Sequence, residues 1–104
     1  MQLHDLVLVT VIGETVIMNA IAKEGLALGA SGYTLTEVLG KGSRGVRNAI
    51  ITGGPSTMKC EFVVPNVVAE AILTHVSHTY FEHYACIAWV SDARVMRGEA
   101  YIEK

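Results

Sequence analysis

The ten residues LHDLVLVTVI, Leu3–Ile12, form an almost continuous run of leucine and β-branched side chains. Such a run is typical of a central strand that is covered on both faces. Gly13 ends the run, and from Glu14 to Leu28 apolar side chains recur at helical spacing along one side. This order predicts a strand followed directly by an amphipathic helix.

A second strand is predicted to follow this helix. Gly29 and Gly32 end the helical pattern, and Gly25 weakens its last turns because glycine is a poor helix former. Tyr33–Leu39 is β-branched and apolar, as expected of a strand. The first part of the chain therefore predicts one strand–helix–strand unit.

The same order returns in the second half of the chain. Lys59–Val64, KCEFVV, has the pattern of a strand closed by Pro65, and Asn66 is a suitable N-cap for the helix that follows. Apolar side chains in this helix recur at i, i+4 spacing. A fourth strand is predicted from about Tyr84 to Val90, or as far as Met96.

Two strand–helix–strand units in succession predict an α+β fold of the ferredoxin-like βαββαβ type. In this fold two helices pack on one face of a four-stranded antiparallel sheet. The other face would also be apolar on this sequence, so we expect several sheets to pack face to face in an oligomer. At 104 residues, the chain is expected to form one domain, residues 1–104.

The composition excludes some classes of function. A formal net charge of −2 argues against general nucleic-acid affinity, which would require a basic surplus. No apolar run approaches the ~20 residues of a membrane span, and no basic n-region precedes an apolar segment at the start. We therefore expect no membrane insertion and a cytoplasmic location.

Cys60 and Cys86 lack a CxxC neighbour and are interpreted as small buried apolar residues.

The segment between the two units carries the most unusual chemistry. Lys41, Arg44 and Arg47 place three of the eight cationic residues within seven positions, and no acid lies between Glu37 and Glu61. The neighbouring glycines would let backbone N–H groups approach an anion, and guanidinium groups bind phosphate or carboxylate in a bidentate way. The pattern suits a phosphate or a small oxyanion, although a merely solvated basic loop is equally compatible with it.

The segments GYTLTEVLGKG, MKCEFVVPNVVAEAI and DARVMRGE together resemble the PII signalling proteins over nearly the whole chain. Within that family, GKGSRGVR and YFEHYACIAWV are most similar to the carbon-responsive branch, the SbtB-like and carboxysome-associated PII proteins. The resemblance implies a homotrimer with three adenine-nucleotide clefts between its subunits. It also implies a T-loop, about residues 40–58, that reads ligands and touches partner proteins.

Site residues are implied by the same resemblance. Thr34 and Val63 align with positions that line the adenine pocket, and Arg97 aligns with a phosphate-binding arginine. The base of the T-loop would wrap the phosphates. The full set implied for nucleotide binding is Thr34, Gly40, Lys41, Gly42, Ser43, Arg44, Arg47, Val63 and Arg97.

The chain departs from the family pattern at two phosphate positions. Phe81–Tyr84 stands where nitrogen-type relatives have a B-loop rich in glycine and lysine, and Glu99 stands where they have a second phosphate arginine. Fewer cations and an added acid predict that ADP or AMP binds at least as tightly as ATP. Cyclic AMP is a further candidate ligand.

The carbon-responsive branch also implies a second ligand and a biological role. Gly42, Arg44 and Arg47 are the residues expected to bind bicarbonate or a partner protein. The partner would be a bicarbonate transporter or a carboxysome-related protein, and the output would be regulation of inorganic-carbon uptake or fixation. The T-loop contains no tyrosine, which excludes uridylylation on tyrosine there.

Other classes of function compete with this interpretation. Glu37, Glu61 and Asp92 could supply an acid–base group for slow ATP or ADP hydrolysis, but no committed catalytic constellation accompanies them, so we expect no enzyme. A trimer with a metal-tolerance role, similar to the CutA proteins, is the other alternative. The basic loop argues against it, because cations would surround the metal.

Three histidines late in the second predicted helix are also ambiguous. His75 and His78 have the i, i+3 spacing of a metal-ligand pair, and His83 follows them. No flanking cysteine or carboxylate completes a tetrahedral set, so exposed helix histidines are favoured.

Overall fold

A computed structural model of the chain describes residues 1–39 and 57–102. The elements, in chain order, are β1 (His4–Glu14), α1 (Thr15–Ala27), β2 (Thr34–Val38), β3 (Thr57–Val64), α2 (Asn66–Tyr80), β4 (Cys86–Val95) and the short α3 (Glu99–Ile102). The strands form one antiparallel sheet in the order β2-β3-β1-β4. The predicted α+β, ferredoxin-like fold is therefore confirmed, and α3 is an addition that the pattern did not reveal.

Strand β1 lies in the middle of the sheet. Val9 pairs with Phe62 of β3 on one side and with Val90 of β4 on the other. Successive side chains of a strand point to opposite faces, so β1 contributes to both. Val9 and Val11 belong to the buried core formed with the two long helices, which identifies the helix-covered face.

The helix-covered face includes a close contact between α1 and β3. Gly25 is buried in α1, and a side chain added at this position would overlap the ring of Phe62. Phe62 itself has no exposed surface. Gly25 is thus more than a weak helix former, because its missing side chain makes room for Phe62, the largest fully buried side chain.

The opposite face of the sheet is covered by neither long helix, and we call it the open face. From β1 it carries Leu6, Leu8, Thr10 and Ile12 by strand alternation. Its β4 neighbours opposite Ile12 and Thr10 are Ile87 and Trp89, which are 57% and 44% exposed. The sequence predicted a β1 that is covered on both faces, whereas the long helices of one chain cover only one.

The predicted helix start at α2 was wrong by one position. Pro65 is the N-cap, Asn66 is already helical, and its Nδ2 donates to Glu70 Oε2 at 3.1 Å. The Pro65 carbonyl accepts the N–H groups of Val68 and Ala69, both at 3.0 Å. The helix therefore begins with hydrogen bonds to the Pro65 carbonyl, and its N-terminus has no side-chain cap.

Strand β4 also begins later than predicted. Tyr84 lies before it, because the Tyr84 N–H donates to the Tyr80 carbonyl at 3.0 Å and so still belongs to the end of α2. The strand runs to Val95, in agreement with the longer of the two predicted limits.

Candidate functional site

Three of the predicted site residues, Thr34, Val63 and Arg97, lie within the described ranges. Val38 precedes the predicted T-loop and Thr57 lies near its end; the two residues pair with each other, and Thr57 also pairs with Glu14 at the end of β1. Arg97 follows β4 beyond Val95, which pairs with residue 4 at the start of β1. Ten strand steps separate the ends of β1, a distance of roughly 33 Å. Six predicted residues lie outside the described ranges: Gly40, Lys41, Gly42, Ser43, Arg44 and Arg47.

Thr34 and Val63 come close together on the open face. Thr34, exposed at the start of β2, pairs with Glu61 of β3, and Val63 stands two residues farther along on the same face. Glu61 Oε1 lies 4.0 Å from Lys59 Nζ, so a cation sits beside this carboxylate. The structure therefore brings together the two residues assigned to the adenine pocket and adds Glu61 between them.

Arg97 lies in a tight turn just beyond the end of β4 that pairs with His4. Its backbone has φ 59°, the left-handed region. The turn is closed by the Ala100 N–H donating to the Arg97 carbonyl at 3.3 Å and the Tyr101 N–H donating to the Gly98 carbonyl at 2.9 Å. Arg97 is exposed and forms no ion pair with any residue in the described ranges. An exposed, unpaired guanidinium is available to an anionic ligand.

The turn at residues 81–85, between α2 and β4, has few donors left for an anion. The N–H groups of His83 and Tyr84 donate to the Tyr80 carbonyl at 3.2 and 3.0 Å. The Ala85 N–H donates to Glu14 Oε2 at 2.7 Å. Three successive backbone donors are thus already occupied, and one of them holds a carboxylate.

A polar cluster joining the two long helices was not anticipated. The Tyr80 hydroxyl donates to both carboxylate oxygens of Glu24, at 2.8 and 2.9 Å, and His75 Nε2 lies 2.7 Å from Glu24 Oε1. Burial, with Glu24 adding to it, raises the pKa of Tyr80 to about 12. No local pattern could reveal this cluster, since Glu24 is 51 and 56 residues from its partners.

The histidines were predicted to be solvated rather than ligands. His78 and His83 are exposed, whereas His75 is half-buried against Glu24. Within residues 1–39 and 57–102, no three His, Cys, Asp or Glu side chains lie close enough to hold a metal ion. His75 therefore has a structural partner that the sequence did not indicate.

The two cysteines are held as neutral thiols. Cys60 is fully buried, and burial, reinforced by Glu61, raises its pKa to about 12. Burial and then Glu14 raise the pKa of half-buried Cys86 to about 11. A thiol with such a pKa is a poor nucleophile at neutral pH. The prediction of a small buried apolar residue is confirmed for Cys60, whereas Cys86 is only half-buried and packs against the edge of the core.

The acids considered for hydrolysis are not assembled into one group. Glu37 is in β2 and Asp92 in β4, at opposite edges of the sheet, with two strands between them. Neighbouring strands are about 4.8 Å apart, so these carboxylates stand more than ~14 Å from each other. A groove of about 360 Å³ does lie between α2 and β4, lined in part by Leu73, Phe81 and Trp89, but no predicted site residue lines it.

None of the helices in the described part of the chain is both long and apolar enough to span a membrane.

Comparison with known proteins identifies the family. The family model described as nitrogen regulatory protein P-II matches residues 6–100. The chain is 37% identical to a PII-like signalling protein from Thermus thermophilus, with a TM-score of 0.82, covering 98% of this chain and 100% of that one.

Structures of CPII, a PII-like protein from Thiomonas intermedia, share the fold. The form bound to ADP, AMP and bicarbonate has 22% identity and a TM-score of 0.83 over 98% of both chains. The form bound to ADP and bicarbonate has 23% identity and a TM-score of 0.82, over 96% of this chain and 97% of that one. With a family model that matches nearly the whole length and a 37% identical relative, this chain belongs to the PII family of signalling proteins.

Proposed function

We propose that this protein is a homotrimeric sensor that binds adenine nucleotides in clefts between its subunits. The observation that carries the proposal is the separation of the candidate residues. The strand ends next to the T-loop, at Val38 and Thr57, lie at the opposite end of a sheet roughly 33 Å long from Arg97. If the T-loop and Arg97 of the same subunit bound one nucleotide, that nucleotide would have to span this distance. A cleft between two subunits brings the T-loop of one beside Arg97 of the other.

The open face supports the trimer. Ile87 and Trp89 leave a large apolar area in water beside the central strand of a single chain. Apolar surface of this kind is favourably buried against other copies. A trimer that packs three open faces together would bury it and would also align the ends of neighbouring sheets.

ADP or AMP is the favoured ligand over ATP. A third phosphate would need donors at the turn of residues 81–85, where three N–H groups are already occupied and Glu82 adds a negative charge. ADP and AMP, which are present in CPII of Thiomonas intermedia, carry fewer charges to satisfy. Cyclic AMP is the remaining nucleotide to test.

Bicarbonate is the proposed second ligand. CPII binds bicarbonate together with ADP, and the T-loop of this chain offers Gly42, Arg44 and Arg47 to a small oxyanion. We place the protein in the carbon-responsive, SbtB-like or carboxysome-associated branch. There, in the cytoplasm and without enzymatic activity, it would regulate inorganic-carbon uptake or fixation through a bicarbonate transporter or a carboxysome-related protein.

Calorimetric titration of the trimer with AMP, ADP, ATP and cyclic AMP, each with and without bicarbonate, tests the proposal. ADP or AMP should bind at least as tightly as ATP, and bicarbonate at matched pH and ionic strength should tighten ADP binding. Arg97→Ala should weaken ADP binding. Arg94→Ala is the matched control, because this exposed arginine on β4 lies 4.0 Å from Asp5 of the same chain.

Three results would contradict separate parts of the proposal. A stable monomer in dilute solution removes the intersubunit cleft. An ATP preference above tenfold, about 1.4 kcal/mol, shows that the missing cations are replaced by other groups. Unchanged ADP affinity on addition of bicarbonate removes the second ligand and leaves the nucleotide sensor.

A further inference from the structure

The turn that carries Arg97 has a costly backbone conformation. Arg97 is the only non-glycine residue in the described ranges with a positive φ, and side chains other than glycine rarely adopt it. Such a conformation persists only where the surroundings hold it, and it often marks a ligand-binding segment. Two contacts with His4 hold this turn.

The first contact is between Gly98 and His4. Gly98 is buried, and a Cβ added to it would lie 2.5 Å from the Cβ of His4 and 2.9 Å from its Cγ. Real Cβ atoms do not approach side chains so closely. The glycine therefore allows the turn to rest directly on His4, at the start of the central strand.

The second contact is between His4 and Glu99. His4 Nδ1 lies 3.7 Å from Glu99 Oε2, and this buried nitrogen has no hydrogen-bond partner among the described residues. Glu99 is only two positions from Arg97, so its carboxylate is a natural competitor for the guanidinium. In the structure it is directed toward His4, and Arg97 forms no ion pair in the described part of the chain.

We infer that His4 is a positioning residue for Arg97. It supports the left-handed turn through Gly98, and it keeps the Glu99 carboxylate away from the guanidinium, which stays available to an anion. The inference rests on the proposed function, in which that anion is a nucleotide phosphate. His4, which lies on the first strand and is distant in sequence, thereby contributes to the control of phosphate affinity.

The effect of His4 is separable from a general loss of structure. If His4 is removed, Glu99 is released and can pair with Arg97, which lowers the affinity for phosphate-bearing ligands. Adenosine has no phosphate, so its binding should not depend on this competition. Neutralising Glu99 removes the competitor and should restore the affinity even when His4 is absent.

The experiment is a calorimetric titration of ADP and of adenosine into the wild-type trimer and a set of variants. His4→Ala should weaken ADP binding about five- to tenfold and leave adenosine binding within twofold. Glu99→Gln alone should bind ADP at least as tightly as the wild type. The double variant His4→Ala/Glu99→Gln should recover most of the lost ADP affinity, and Arg97→Ala should be insensitive to a further His4→Ala change.

Two more variants separate positioning from folding. His4→Gln, which keeps an amide donor near Glu99, should retain most of the ADP affinity. Gly98→Ala, which pushes the turn away from His4, should lose most of the ADP affinity. Its melting temperature should stay close to that of the wild type, as expected of a folded trimer. If His4→Ala itself does not fold, this pair of variants decides the matter.

Different negative results would contradict different parts of the inference. Arg97→Ala weakening ADP while His4→Ala does not would overturn the positioning role and leave the nucleotide sensor intact. Equal losses for ADP and adenosine, or no recovery with Glu99→Gln, would reduce His4 to a structural residue. A wild-type trimer that binds no ADP would overturn the proposed function and this inference with it.

Discussion

The two faces of the sheet use the same central strand in different ways. On the helix-covered face, Val9 and Val11 have no exposed surface and pack with Phe62 into one core. On the open face, Ile87 and Trp89 lie 57% and 44% exposed beside β1. The helix-covered face stabilises the fold of one chain, and the open face leaves apolar surface exposed that other copies can bury. Folding and assembly should therefore respond to different substitutions.

The largest effect is expected on the helix-covered face. Phe62→Ala removes a fully buried ring and leaves a cavity, which should lower the free energy of unfolding by about 3–5 kcal/mol. Urea unfolding at fixed protein concentration measures the change. A loss below ~1 kcal/mol would show that the core does not depend on this ring.

Gly25→Ala tests how closely the same face is packed. Alanine is the better helix former by about 1 kcal/mol, but its methyl group would overlap the Phe62 ring, and overpacking costs about 1–3 kcal/mol. We expect a net loss of stability. Gly32→Ala is the matched control, because nothing lies within 4 Å of the added carbon, and it should be neutral or slightly stabilising. Equal behaviour of the two variants would contradict the packing role of Gly25.

Alkaline pH probes the helix-covered face through Cys60. Its folded-state pKa of about 12 lies above the value of about 8.5 for an unfolded thiol, so the unfolded chain loses this proton first. Stability should therefore fall as the pH rises from about 9 to 12, with a slope of up to about 1.4 kcal/mol per pH unit from this group. Cys86 and Tyr80 contribute with the same sign.

The Cys60→Ala variant isolates that contribution. Its free energy of unfolding, measured at each pH, should fall less steeply than that of the wild type between pH 9 and 12. Parallel curves would mean that the thiol is not held neutral by burial.

The smallest effect on the folding of the chain is expected on the open face. Ile87→Lys places a charge where one chain already exposes the side chain, so helix and strand content should be unchanged. The trimer should dissociate, because a buried unpaired charge opposes assembly. Light scattering measures the mass, and circular dichroism measures the fold. An intact trimer with Lys at this position would show that the open face is not the interface.

The sequence predicted what is local. Hydrophobic periodicity located both long helices and all four strands, since the period of a strand or helix is visible within a few residues. Contacts across many residues left no such pattern. Gly25 must be small because the Phe62 ring, 37 positions away in sequence, packs against it. In the Glu24–His75–Tyr80 cluster, Glu24 is more than 50 positions from both partners.

The site was predictable only in part for the same reason. Thr34, Val63 and Arg97 came from family resemblance. The structure places Thr34 and Val63 level with the middle of β1, at Thr10 and Leu8, and Arg97 beyond the end of the sheet at His4. Two contacts have no sequence motif: Glu61 stands beside Thr34 through strand pairing, and His4 supports the turn at Gly98. The T-loop assignments, which lie outside the described residues, remain predictions.

The raised pKa values of the two cysteines have a consequence for labelling. At pH 7.5, a thiol with a pKa of about 11 or 12 is ionised to less than about one part in a thousand, whereas an exposed cysteine near 8.5 is ionised to roughly a tenth. Maleimide reagents react with the thiolate, so Cys60 and Cys86 should be labelled only very slowly. A cysteine introduced at exposed Ser31 would accept a fluorophore selectively without prior removal of the native pair.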